Sequence, residues 1–518
     1  MKKTMKQHSF ASRLKSLALV FGIALAFASC ANEDIAQNPN GTDNNKNFTI
    51  FSTGDPTTRT SMESNGTFYW EAGDKIWVKD DNGAWRQSRN APTEKTASFK
   101  FEVPGSFTKT STYKVYYPGQ NGNQNQVTIA ANQSQAEPNT TAHFGTSGDC
   151  GMADAEWSNT KNGFAFTLDH KAAYLLFLPR TSNTILHDCY LTKVEVNSDN
   201  DITSTYTLNP TTGTLTGTGS GKQIVVATVG SGTYANGFPL TNNATSAATN
   251  GAYVVIKPGT HTLKVRYWVK DVATGVAGTI TKILSSATYD QNKYYNITAN
   301  LDVKNYDGDK YYMWDAQEQY WKGHEWNLGG SQPTLMTQSA SSDYPKSGDT
   351  RYYNESYPGF GISNPATHAS CKDLPNVNEM TWYAAAGDPR WDADELWTTM
   401  GHLYKGGMWF KKKANISGYN SNTAYNGTDW RTTGSGGSWS PSQTLPSAAD
   451  AGNYFYLPAL GDYYSGKLKN IGIMGYYLSS SAYPGGTDAT YSVAFGRGFI
   501  SMYNYPRIDA GRVEPSFE

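Results

Sequence analysis

The chain begins with a basic stretch, Lys2, Lys3, Lys6, Arg13 and Lys15, followed by an apolar run of eleven residues from Leu17 to Phe27. That run is too short to span a bilayer as a permanent helix, and with its basic flank it reads as a signal peptide. From Ala31 to about Asn47 the chain is Asn-, Gly- and Asp-rich without periodicity, the pattern of a flexible tether. The text then changes to short alternating segments broken by Gly, Asn, Asp and Pro, which continues to about Val303. Phe99–Val103, Tyr113–Tyr117, Phe164–Leu168 and Leu263–Val269 each alternate apolar with polar residues, so each predicts a strand with one buried face. Asp80-Asp81-Asn82-Gly83, between Ile76-Trp77-Val78 and Trp85, predicts a hairpin, because Asn-Gly tolerates the positive φ of a tight turn. No long amphipathic helix is legible in this region. The expectation is an all-β region with the strand spacing of β-sandwiches.

Beyond Val303 the pattern loosens and the composition shifts. Residues 304–518 hold 22 of the 35 tyrosines and 9 of the 14 tryptophans. Rings at that density, among many Gly, Ser and Asn, suit a loop-rich core or a surface that stacks sugars. One helix is predicted to open at Trp391-Asp392-Ala393-Asp394-Glu395-Leu396. Asp392 would be its N-cap, Glu395 would complete a capping box, and Leu396, Met400 and Leu403 recur at helical spacing before Gly406-Gly407. On that reading the acidic cluster serves capping and the helix dipole, not a metal.

A net charge of −1 with dispersed signs supplies no basic field for phosphates, which argues against nucleic acid. Cys30, Cys150, Cys189 and Cys371 are too widely spaced for a disulfide framework or a CxxC metal site; a Cys150–Cys189 bridge stays open. Asn305-Tyr306-Asp307-Gly308-Asp309 lacks the further carboxylates of a calcium loop and reads as a turn. No GxSxG, HExxH, P-loop or Rossmann pattern occurs, and pairing Asp388 with Asp392 or Asp394 for glycoside hydrolysis rests only on closeness in sequence. The expectation is a binding protein without catalytic residues, metal or cofactor.

Three segments carry family resemblances. Phe27-Ala28-Ser29-Cys30 resembles a bacterial lipobox, with Phe27 where Leu is usual, and implies that Cys30 is acylated. The acidic pair Glu33-Asp34 resembles the signal that sends lipoproteins of the Bacteroidetes to the outer face of the outer membrane. Thr58-Arg59-Thr60-Ser61 with Phe68-Tyr69-Trp70-Glu71-Ala72-Gly73-Asp74-Lys75-Ile76-Trp77-Val78, and the closing Lys293 to Leu301, resemble fimbrillin-family proteins, the type V pilus subunits of the Bacteroidetes. Leu168-Asp169-His170-Lys171-Ala172 resembles the start of their second sandwich. This likeness implies assembly by strand addition, after a trypsin-like protease cuts at a basic residue near the first strand; Arg59 is the matching residue. Trp70, Gly73 and Asp74 are read as packing and turn residues. From about 370 to 518, the order Tyr454 to Gly461, Ile471 to Ser481, Tyr491 to Phe495 and a final Gly511-Arg512-Val513 resembles a C-terminal domain related to C-type lectin-like folds, with Leu478 where Trp is usual. That fold includes the formylglycine-generating enzymes, which need a cysteine pair, whereas this region has Cys371 alone.

The expected fold is therefore mainly β: a signal peptide (1–29), a lipidated tether (30–47), two tandem fimbrillin-like β-sandwiches (48–165 and 166–303) and an α+β C-type-lectin-like domain (304–518). The expected function is a surface-exposed pilus tip or accessory adhesin held to the outer membrane by its lipid. It would pair with other pilin subunits by donor-strand addition and bind a host or dietary glycan or a matrix protein. The alternative is a free-standing surface glycan-binding lipoprotein. Candidate ligand contacts are the loop aromatics Tyr463, Tyr464, Tyr483, Tyr503 and Tyr505, beside Arg497 and Arg507.

Overall fold

The computed structural model describes residues 48–53, 61–62, 68–337, 339–355, 365–514 and 517–518. The signal peptide, Cys30, the tether and Arg59 lie outside the described residues. Among those described, the chain is mainly β and builds three large hydrophobic cores and one smaller one.

The first core lies under a sheet that runs, in spatial order, Trp85–Gln87, Trp77–Lys79, Tyr113–Tyr117, Gly151–Ser158, Gly163–Phe166, Thr49–Thr53 and Lys100–Val103. The predicted hairpin forms as expected: Gly83 takes a φ of 74°, and the Asp80 carboxylate accepts the Asn82 and Ala84 N–H groups. Trp70 is fully buried and edge-packed on Phe101 and Tyr117. Asp74, also buried, accepts the Glu71 N–H, the Tyr117 hydroxyl and the Gln120 amide, so both are structural residues. The Thr49 strand pairs antiparallel with Lys100–Val103 and parallel with Gly163–Phe166.

The second core lies between the three-stranded sheet Ala252–Ile256, Ala173–Arg180, Tyr294–Asn300 and a long sheet that includes Cys189–Ser198, Gly259–Asp271 and Ala277–Tyr289. The apolar run Tyr174–Leu178 is buried throughout, and Phe177 meets Tyr267 edge-on across the layers. Part of the span expected for the first sandwich belongs here: Gln126–Thr128 pairs with Thr205–Leu208, and Asn132–Ser134 runs parallel to Gln223–Ala227. Two glutamines then close one seam. Gln133 accepts the Val255 N–H and donates to the Val255 carbonyl, and Gln135 does the same for the Tyr253 N–H and the Gly251 carbonyl. Cys150, Cys189 and Cys371 are free, buried thiols, with burial raising Cys189 and Cys371 to about 12.

The helix predicted at Trp391 does not form. Arg390–Thr399 and His402–Lys411 are instead antiparallel strands joined by a two-residue turn, Met400 at φ 46° and Gly401 at φ 77°. Two successive positive φ values define the twisted turn that hairpins favour, and it is normally signalled by Asn-Gly. Here Met400 occupies the first position. The register shift between Asp392 and Leu396 breaks strict alternation and gives the sequence its helical appearance. The capping box lies elsewhere, where Asn376 and Glu379 cap the helix Val377–Ala386 reciprocally. That helix places Met380, Tyr383 and Ala384 in the third core. Beside it lies a six-stranded sheet running Tyr311–Tyr312, Gly511–Arg512, Met474–Ala482, Ala489–Gly496, Phe499–Pro506 and Gly437–Trp439. Leu478, at the position where the resemblance expects Trp, is buried in the smallest core with Trp314 and Cys371.

Candidate functional site

Two features of the C-terminal region bear on function: its attachment to the middle sheet, and a polar cleft beside it. The attachment fixes what the cleft is mounted on. Thr279 of the Ala277 strand pairs in parallel register with Glu395, so the Arg390 hairpin and Tyr454–Pro458 continue the middle sheet across the composition boundary at Val303. The Arg266 guanidinium, buried, donates to both oxygens of buried Asp392 at 2.9 and 3.1 Å and to the Thr279 hydroxyl at 2.8 Å. Asp392 also accepts the Trp409 indole N–H at 3.1 Å. Glu395 accepts the Thr281 N–H and hydroxyl and the Thr279 hydroxyl, and Lys264 donates to the Pro446 carbonyl. Burial and the adjacent Asp392 charge push Glu395 up to about 7. The acidic cluster read from the sequence as a helix cap is thus a buried clamp. The remaining carboxylates weighed for hydrolysis are also engaged, Asp388 with Arg390 and Tyr454, and Asp394 with Lys405.

The seven expected contact residues divide by burial. Tyr463 is fully buried, its hydroxyl donating to the Pro333 carbonyl, and Arg507 is fully buried over the Trp314 ring. Tyr505, 7% exposed, donates to Asp462, whose own burial pushes it up to about 6. These three are placed as packing residues, not as a surface. Tyr464 and Tyr503 are 47% and 50% exposed. Tyr483 is half-buried and donates to the Gly434 carbonyl, and Tyr503 lies against Gly436, so those two border one loop. Tyr464 belongs to another hairpin, with Lys469 over its ring, and Arg497 is exposed in a turn.

A polar recess is built partly from residues that the sequence reading treated as a turn. A cleft of about 450 Å³ opens between the 305–309 loop and the 318–328 segment. Tyr312 and Trp326 line it, with Asp309 and Glu318 exposed at its walls. Gln332, 4% exposed, ties the walls together: it accepts the Trp326 N–H and donates to the Gly308 carbonyl and to the Tyr463 hydroxyl. Gly308 is needed for that approach, since a Cβ there would meet Met400 at 2.8 Å and the Gln332 amide at 3.0 Å. Arg512 donates to the Asp307 carbonyl at 2.6 Å and so ties down the loop. A second recess of about 320 Å³, lined by Lys310, Gln317, Ser370 and Asp373, shares Tyr312 with the first. No cluster of three or more metal-ligating side chains occurs among the described residues. The signal that could have found the cleft is Asn305-Tyr306-Asp307-Gly308-Asp309 followed closely by Tyr311-Tyr312 and Trp326.

No family model and no curated protein matches the chain. Among solved structures, a Bacteroides ovatus protein assigned to cell adhesion aligns at 15% identity and a TM-score of 0.30, covering 49% of this chain and 93% of that one. The fimbrial anchor protein Mfa2 of Porphyromonas gingivalis aligns at 11% and 0.21, covering 46% and 83%. A fimbrial protein of Bacteroides ovatus aligns at 10% and 0.26, covering 90% and 98%. At these values no residue role passes from those chains to this one.

Proposed function

We propose that the chain is a surface-exposed, pilus-related subunit that accepts a strand from a neighbour in its N-terminal sheet and presents its C-terminal region for adhesion. In this reading Cys30 carries the lipid and Arg59 is the processing point. The observation that carries the proposal is the position of the Thr49 strand. It lies inside the sheet, between Gly163–Phe166 and Lys100–Val103, yet it is the first described segment and precedes Arg59 in the chain. Cutting after Arg59 would detach this strand covalently and leave a groove floored by Phe164, Phe107 and Tyr113, the rings that Phe51 touches. Unpaired edge amides above an aromatic floor suit an extended peptide with alternating apolar residues. The C-terminal region follows where a stalk subunit would carry its donor strand, which fits a tip or accessory position.

The test is to treat the purified full chain with a trypsin-like protease and follow two things: release of the N-terminal peptide containing Phe51, and uptake of a synthetic alternating apolar strand. Release with uptake is the expected result. A cleaved chain that keeps its own strand and takes up no peptide would refute strand acceptance. Co-purification from cells with polymerised pilins then separates a pilus subunit from a free-standing surface lipoprotein.

A further inference from the structure

The cleft between the 305–309 loop and Trp326 has the features of a ligand site rather than of a surface irregularity. Its volume of about 450 Å³ falls within the range of pockets that hold small ligands. Its walls are fixed before any ligand arrives, because buried Gln332 joins the Trp326 segment to the Gly308 carbonyl while Arg512 pins Asp307. Asp309 and Glu318, both beside Tyr312, meet no hydrogen-bond donor among the described residues. These carboxylates are therefore available acceptors in a preformed recess.

The chemistry of the lining selects a ligand class. Carboxylates only accept hydrogen bonds, whereas the exposed Asn327 amide does both and Lys322 only donates; the Asn305 amide is engaged by Asp307 and Thr398, and the Gln319 amide by Glu325 and the Trp321 N–H. A ligand made only of donors, such as an oligolysine chain, would leave Lys322 facing a like charge and the donor side of the Asn327 amide unmatched. Hydroxyl groups donate and accept, so they match the mixed wall. Trp326 and Tyr312 add rigid ring faces beside it, the amphipathic surface that polyhydroxylated rings stack on. Asp307, Asp309, Glu318 and Glu325 stand against the single base Lys322, a balance that repels anionic groups. The second recess of about 320 Å³, which shares the lining residue Tyr312 and adds one charge of each sign, Lys310 and Asp373, is the place for a second unit of a chain ligand.

We infer that this groove binds an oligosaccharide of neutral or amino-bearing units, with Trp326 and Tyr312 as ring contacts, Asp309 and Glu318 as hydroxyl acceptors, and Gln332 as the positioning residue. The inference rests on the adhesive reading above and moves the contact surface away from the later-loop tyrosines to this cleft.

The full chain would be tested against matched probes: the N-acetylglucosamine trimer, its de-acetylated glucosamine form, lactose, its sialylated counterpart and an oligolysine peptide. Binding of the neutral and amino sugars is expected, with the sialylated sugar at least about tenfold weaker than lactose. Trp326→Ala should lower sugar affinity at least about tenfold, and Tyr464→Ala should leave it unchanged. Because Trp326→Ala also removes packing, the exposed pair Asp309→Asn with Glu318→Gln supplies a second readout: it should narrow the gap between lactose and its sialylated form while the fold persists. Equal binding of both sugars by the native chain, oligolysine binding in place of sugars, or full sugar affinity in Trp326→Ala would each overturn the inference. If no sugar binds but cells still lose adhesion or pili on deleting the gene, the ligand class is wrong and the adhesive reading survives. If deletion changes neither, that reading falls too.

Discussion

Two strands that each complete a sheet are held in opposite ways. The Thr49 strand is paired on both sides, its Phe51 ring is fully buried and stacked 4.9 Å from Phe164, and no ion pair among the described residues anchors it. The Arg390 strand touches the Ala277 strand at one register position, yet buried Arg266, Asp392, Glu395 and Thr281 lock the contact with charge and hydroxyl hydrogen bonds. A ladder of backbone bonds over apolar pockets can be rebuilt by any strand of suitable pattern. A clamp made of matched buried charges admits only its own partner, because an unmatched buried charge is strongly destabilising. In the proposed assembly, this difference puts the exchangeable strand in the N-terminal sheet and makes the joint with the C-terminal region a fixed one.

The largest expected effect removes the apolar anchor. Phe51→Ala should destabilise the N-terminal unit by about 4 kcal/mol, in the range for losing a buried phenylalanine, and denaturant unfolding of the full chain should show an early transition that native protein lacks. A single unshifted transition would mean that the ladder alone holds the strand. Next, Asp392→Ala strands Arg266 without its counter-charge and should cost about 3 kcal/mol, read as separate melting or new proteolysis between the middle and C-terminal regions. The comparison sharpens with the double change Arg266→Met and Asp392→Leu, which removes both charges and should recover most of that loss. Should the double variant fall as far as the single one, shape and not charge pairing holds the joint.

The same clamp predicts a pH dependence. Glu395 is pushed up from its ordinary 4.5 to about 7 by burial and by Asp392. A raised carboxyl favours the protonated form in the folded state, so its contribution to stability is complete below about pH 4.5 and is lost as pH rises through 7. Chemical denaturation of native chain between pH 5 and 8 should therefore show stability falling, with Asp462, raised to about 6, adding to the slope, and Glu395→Gln should remove about 2 kcal/mol of that fall. A rise over the same interval would show that the Thr279 and Thr281 donors outweigh burial.

How these features looked in the sequence follows the same division. Local signals were legible: the Asn82-Gly83 turn, and the alternation of Phe99–Val103 and Tyr113–Tyr117, both of which form strands. What failed was long-range. The residues Trp391 to Leu403 satisfy a helix start and spacing by their own chemistry, but Asp392 and Glu395 answer to Arg266 and Thr281, more than a hundred residues earlier in the chain. Met400 hid the hairpin by occupying a positive-φ position that Asn usually fills. The real capping box, Asn376 with Glu379, was present as a local pattern and went unread. Among the candidate contacts, a tyrosine in a loop looks the same whether its ring is out, as in Tyr464, or fully buried, as in Tyr463. The cleft was missed because Gln332, which joins its walls, gives no sign in sequence of reaching both Gly308 and Trp326.

The smallest effect tests whether side-chain clamps recur where no charge is involved. In the middle unit the edge of Ala252–Ile256 is sealed by Gln133 and Gln135, while among the described residues Tyr294–Asn300, the opposite edge of the same sheet, pairs only with Ala173–Arg180. Gln133 is buried and donates at 2.7 Å to the Val255 carbonyl while accepting its N–H at 3.0 Å, standing in for a neighbouring strand. Gln133→Ala leaves both groups of Val255 without partners and should cost about 2 kcal/mol. Asn296→Ala, on the exposed edge and without such a bond, should stay within about 0.5 kcal/mol. Hydrogen exchange at Val255 and Tyr253 gives the direct reading: faster exchange in Gln133→Ala at Val255 alone would show that each glutamine guards its own residue. If both amides exchange faster together, the two side chains act as one surrogate strand, and the seam belongs with the locked joint; if neither changes, the edge is protected by packing, and the contrast between ladder and clamp narrows to the buried charges at Arg266 and Asp392.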